Sequence, residues 1–74
     1  MQLVFVTRQG CHLCDQALIA LRSLGFEPVL RDVDADDELH RLYDFRVPVV
    51  LVDGRVVAEG KIDRETLDKV LKLA

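Results

Sequence analysis

The sequence predicts a mixed α/β fold, a single four-stranded sheet with helices on both faces, in the order β-α-β-α-β-β-α. Three observations predict it. The chain opens on an unbroken apolar run, Leu3-Val4-Phe5-Val6, of the kind that forms a strand covered on both faces. The pattern then switches to a helical period between two strand-like runs, which makes those strands parallel, joined by a crossover helix. Later, Asp53-Gly54 separates two apolar runs, a two-residue signal for an antiparallel hairpin. With 74 residues, the chain is read as one domain, 1–74.

Each element has its own signal. Thr7-Arg8-Gln9-Gly10 breaks the first strand. From Cys11, the residues Leu13, Ala17, Leu18, Leu21 and Leu24 recur at spacings of three and four, the apolar face of an amphipathic helix. Gly25 follows as its C-terminal cap. Glu27 to Val33 is the second strand, with Pro28 at its start, a position that suits an edge strand. Asp34 begins a polar turn, and Ala35 to Phe45 is the second helix, with Leu39, Leu42 and Tyr43 on one side. Tyr43 and Phe45 are expected to close that helix by packing in the core. Val47 to Val52 is the third strand and Arg55 to Ala58 the fourth, ended by Gly60. Asp63 caps a last helix whose apolar face is Ile62, Leu67, Val70 and Leu71.

Composition narrows the function. Ten basic against thirteen acidic side chains give a net charge of −3. That balance disfavours nucleic acid, whose phosphates need a basic face, and an anionic membrane surface. The longest apolar run, Val47 to Val52, is too short to span a bilayer. No basic segment followed by an apolar stretch of signal length opens the chain. The two cysteines, Cys11 and Cys14, stand three residues apart. So short a loop staples nothing, and the expected compartment is the cytoplasm, where such a pair is redox-active or metal-binding.

The placement of the pair favours redox chemistry. Cys11 sits where the first strand hands over to the first helix, and Cys14 lies one turn in. Unpaired N–H groups and the positive end of the macrodipole stabilise a thiolate at Cys11, lowering its pKa below the free value of about 8.5. Cys14 is then placed to attack a mixed disulfide formed at Cys11. A charged His12 would stabilise the same thiolate, while a neutral one merely occupies the loop. Asp15 supports the helix dipole.

Metal binding is the rival. Zinc needs four ligands, and the chain has only two cysteines and two histidines, with His40 expected to stand apart from any partner. No metal site is therefore assigned. Two thiolates can hold Cu(I), so a soft-metal carrier remains an alternative, as does a redox-inactive interaction module. Copper-carrying domains with a similar loop end in a strand and place Met two residues before the first Cys. Here the chain ends in a helix and that residue is Gln9. The carboxylates Asp32, Asp34, Asp36, Asp37 and Glu38 lack the spacing of a calcium loop and read as a solvated turn and an acidic helix start.

Three stretches carry a resemblance to a known family: Thr7-Arg8-Gln9-Gly10-Cys11-His12-Leu13-Cys14-Asp15, then Arg46-Val47-Pro48-Val49-Val50, then the hairpin and last helix from Asp53 to Leu73. In these the chain resembles the small bacterial glutaredoxin-like proteins of the thioredoxin-fold superfamily, along essentially its whole length. The resemblance implies a dithiol-disulfide oxidoreductase with Cys11 as nucleophile and Cys14 as resolving thiol. It implies a cis bond between Val47 and Pro48, with the Val47 backbone offered to substrate. Arg8 would pair with a glutathione carboxylate or help to hold the Cys11 thiolate. No bound cofactor is implied. The expected partners are a disulfide-containing protein or small molecule as substrate, and glutathione or a dithiol reductase as electron donor. The protein is expected to act as a monomer.

The chain also departs from the pattern. Glutaredoxins commonly carry Pro-Tyr between the cysteines, where this chain has His12-Leu13. They commonly carry Gly-Gly and paired aspartates entering the last helix, where this chain retains Gly60 and Asp63 with Lys61 and Ile62 between them. Gly60 and Asp63 remain candidate substrate contacts, the helix start at Asp63 as a seat for a carboxylate. The glutathione site is expected to be weakened.

Overall fold

A computed structural model of the chain describes residues 1–72. The elements run β1 (Leu3–Thr7), α1 (His12–Ser23), β2 (Val29–Asp32), α2 (Asp37–Tyr43), β3 (Val49–Val52), β4 (Arg55–Glu59) and α3 (Arg64–Lys72). The sequence-based extension of the last helix to Leu73 lies outside the described residues. The sheet order is β2-β1-β3-β4. β1 and β2 pair in parallel, with Val4 opposite Val29. β3 runs antiparallel to both β1 and β4. No helix among the described residues is long and apolar enough to cross a membrane.

The alternation of β1 and β3 divides the core between two faces. Leu3, Phe5, Val50 and Val52 point to one face, where α1 and α3 add Cys14, Ala17, Leu21, Leu67 and Leu71. Val6 and Val49 point to the other, where Val33 joins them and α2 lends Leu39 and Tyr43 as half-buried neighbours. Both faces are covered, as the unbroken apolar run in β1 requires.

Local signals hold where they depend on few residues. At the end of α1, Gly25 has φ +91°. There its N–H bonds Arg22 O at 3.0 Å and the Phe26 N–H bonds Leu21 O at 3.3 Å, a paired closure of the last carbonyls. Asp53 and Gly54 both have positive φ, 51° and 83°, as a type I′ turn demands. The Asp63 carboxylate caps α3 by accepting from Thr66 N at 2.8 Å.

Several expectations need correction. The second strand is shorter than Glu27 to Val33, because Pro28 has no N–H to donate and Glu27 is drawn back to Arg22, 3.0 Å away. The second helix is shorter than Ala35 to Phe45. Its N-cap is Asp36, which accepts from Leu39 N at 3.0 Å. Asp34 N and Ala35 N are instead used in a turn onto Asp32, at 2.9 and 3.1 Å. Because the helix stops at Tyr43, Phe45 falls on the outside of the following turn and is 97% exposed rather than in the core. Leu13, expected on the buried face of α1, is 43% exposed. Cys14 occupies that face in its place, in register with Ala17 and Leu21.

Candidate active site

β1 delivers the chain to one end of the sheet at Thr7, and Gly10, at φ +77°, turns it into α1. Cys11 N donates to Arg8 O at 3.3 Å across this turn. Cys11 is the N-cap of α1, with extended backbone, and its Sγ accepts from Cys14 N at 3.1 Å. A sulfur in this position receives both an orphan N–H and the positive end of the helix. The two sulfurs are bonded as a disulfide, with the Cα atoms 5.2 Å apart. Cys14 is 1% exposed and belongs to the main core. Cys11 is half-buried, and His12 and Leu13 between them are exposed. His12 Nε2 lies 3.1 Å from Gln16 Nε2, one turn along the helix.

A second loop reaches the same end of the sheet. Val49 pairs with Val6, next to the end of β1, so the residues just before β3 lie beside the dithiol loop. The Val47–Pro48 peptide bond is cis. Pro48 is buried, and its carbonyl accepts from Gly60 N at 2.9 Å. Gly60 has φ +76°, a conformation that glycine adopts without a steric cost. Val47 is half-buried and packs against both core clusters. Arg46, just before it, bonds the Glu59 carboxylate through Nε at 2.8 Å and through Nη2, and its guanidinium lies 5.1 Å over the Tyr43 ring.

Arg8 connects these loops to α2. Its Nε and Nη2 bond the two oxygens of Asp34, each at 2.8 Å. Nη1 bonds Asp44 O at 3.1 Å, and Nη2 also bonds the Asp44 carboxylate. Hydrogen bonding to these carboxylates raises the Arg8 pKa well above its ordinary value. In return, Arg8 holds the Asp34 carboxyl below its ordinary value, against a partial loss of solvent. His40, expected to stand apart, has Nε2 3.4 Å from Asp44 and 3.8 Å from Asp34. Asp34, His40 and Asp44 thus converge like metal ligands, but the Arg8 guanidinium already supplies their cation.

Of the predicted site residues, the fold brings Arg8, Cys11, His12, Cys14, Val47, Pro48 and Gly60 to one end of the sheet. Asp63 is the N-cap of α3, as the sequence predicts. Its own carboxylate fills the N-terminus of α3, and the Thr66 hydrogen bonds lower its pKa, opposed by partial desolvation and aided by Lys61 and Lys69. Asp34, Asp44, Arg46 and Glu59 were not assigned to the site from sequence. Asp34 and Asp44 lie 26 and 36 positions from Arg8, so no local pattern links them.

Comparison with known proteins places this geometry. The description of a glutaredoxin-like domain (DUF836) matches residues 2–72. A search of curated proteins finds no match. Among solved structures, the chain is similar to the target protein XcR50 from X. campestris, with 34% identity over 97% of both chains and a TM-score of 0.87. It is also similar to protein Ne2328 from Nitrosomonas europaea, with 31% identity over 92% of this chain and 87% of that one, and a TM-score of 0.77. The thioredoxin-like protein BC3987 is 27% identical over 93% of this chain and 99% of its own, with a TM-score of 0.74. The paired cysteines at the start of α1 fit redox activity, and the chain belongs to the glutaredoxin-like domain family, built on the thioredoxin fold.

Proposed function

We propose that the protein is a thiol–disulfide oxidoreductase that reduces disulfides through Cys11 and Cys14. The observation that carries this reading is the asymmetry of the pair. Cys11 is half-exposed at the cap of α1, and Cys14 is buried one turn in, with the Cα atoms 5.2 Å apart. In the reduced protein, the Cys11 thiolate attacks one sulfur of a substrate disulfide. A Cys11–substrate S–S bond forms, the substrate bond breaks, and the leaving thiolate takes a proton from solvent. Cys14 then loses its proton and attacks Cys11 Sγ. The Cys11–Cys14 bond forms, and the second substrate thiolate leaves and is protonated. Two electrons pass from protein to substrate, and an external thiol or dithiol returns them. Val47 and Pro48, on the loop that enters β3 at the same end of the sheet, offer backbone for docking. No resident cofactor takes part.

Reduction of a small neutral disulfide, such as hydroxyethyl disulfide, by dithiothreitol tests this directly. Wild type is expected to turn over. Cys11→Ser is expected to abolish turnover, and pre-reduced Cys14→Ser, freed of dithiothreitol, to accumulate a mixed disulfide at Cys11, visible by intact mass. A reduced wild-type protein that fails to reduce the substrate contradicts the proposal.

A further inference from the structure

We infer that Asp34 and Asp44 set the choice of electron donor, by neutralising Arg8 so that the dithiol discriminates against carboxylate-bearing thiols such as glutathione and takes an uncharged or cationic dithiol. This rests on the thiol–disulfide exchange proposed above. Arg8 lies three residues before Cys11, on the loop that carries the dithiol. Nε, Nη1 and Nη2 together make four hydrogen bonds, all to Asp34 and Asp44. Two carboxylates surround one guanidinium, so a ligand carboxylate approaching Arg8 meets net negative charge. To gain Arg8, it must displace a bidentate pair whose planar geometry it can only match. The excluded ligand is thus rejected by a repulsive element already in place.

The same arrangement recurs around the site. Arg46, beside Val47, is held by Glu59. The N-terminus of α3, which follows the Gly60 loop, is filled by the Asp63 carboxylate. Each of these three features suited to receive an anion is occupied by the chain's own acid. Lys61 remains on the Gly60 loop, and its charge acts on Asp63.

The test is the selectivity ratio between two donors in reduction of hydroxyethyl disulfide. One donor is glutathione, which carries a pair of carboxylates, and the other is neutral dithiothreitol. Wild type should use dithiothreitol well and glutathione poorly. Asp34→Asn with Asp44→Asn keeps the shape of the side chains and releases Arg8. The variant should show a KM for glutathione lower by roughly tenfold relative to its own KM for dithiothreitol, the size of one charge-assisted contact. Raised ionic strength should erase much of the gain. A selectivity ratio equal to that of wild type overturns the inference while leaving the proposed function intact, as does efficient turnover of wild type at low glutathione. Absence of turnover with dithiothreitol overturns both. If the double variant does not fold, Asp34→Asn alone frees Nε and one bond of Nη2, and its selectivity ratio decides the matter by the same criterion.

Discussion

On the α1/α3 side of the sheet, ten residues are buried in one cluster, from Leu3 and Phe5 to Leu67 and Leu71. On the α2 side, among the described residues, the buried cluster is Val6, Val33 and Val49, to which α2 itself contributes no buried residue. A groove of about 290 Å³ remains there, lined in part by Val4, Leu39, Leu42 and Leu51. The two sides are therefore held by different physics. Burial fixes α1 and α3. α2 is pinned at both ends by Arg8, through Asp34 before its N-cap and Asp44 at its C-cap. The dithiol spans this divide. Cys14 is anchored in the thick side, and the loop carrying Cys11 also carries the guanidinium that holds the thin side.

The comparison breaks most visibly under core truncation. Phe5→Ala or Leu67→Ala, on the thick side, should cost about 3–5 and 2–5 kcal/mol respectively, read by denaturant unfolding. Val33→Ala, on the thin side, should cost only about 1–2 kcal/mol, at about 0.8 kcal/mol for each carbon removed plus a small cavity. Equal losses from the two sides would contradict the division.

Arg8→Ala sharpens it next. Amide exchange across α2 should accelerate markedly, because few buried contacts hold that helix otherwise, while α1 and α3 keep their protection. Uniform acceleration in all three helices would mean that Arg8 supports the whole fold and not one face.

Acid gives a smaller and graded separation. The Asp34 and Asp63 carboxyls lie below their ordinary value of 3.8 in the folded protein. A depressed folded pKa contributes stability that is complete above the unfolded value and is lost as pH falls through the lower folded value. The deficit of Asp34→Asn or Asp63→Asn relative to wild type should therefore be constant near neutrality and shrink below about pH 4. Unfolding midpoints measured against pH check it, and a deficit that persists unchanged in acid would contradict it. The smallest effect is expected at Phe45. It is 97% exposed, so Phe45→Ser should change stability by no more than about 0.5 kcal/mol.

These regions also differ in how far they were legible beforehand. The cap at Asp63, the turn at Asp53-Gly54 and the helix end at Gly25 each depend on residues within a few positions, and a backbone that needs positive φ or a side-chain acceptor announces itself in sequence. The order of elements along the chain and the dithiol at the start of α1 follow from those local pieces, whereas the order of strands in the sheet does not. The placement of Leu13 and Phe45 did not. An apolar residue one position off a helical face reads much like one on it, and α2 ends at Tyr43 without a glycine or proline directly after it to signal the stop. The Arg8–Asp34–Asp44–His40 cluster was invisible for another reason. Its members are separated by up to 36 positions, and in sequence the acids looked like a solvated turn.

The central claim is that Cys11 is the attacking thiol and Cys14 the buried resolver. The most direct measurement is the order of alkylation in the reduced, folded protein near neutral pH, with peptide mapping over a time course. The account predicts that Cys11 is modified first, at least about tenfold faster than Cys14, because it is the less buried of the two and stands where the helix N-terminus stabilises a thiolate. Labelling of Cys14 first, or of both at equal rates, would contradict it.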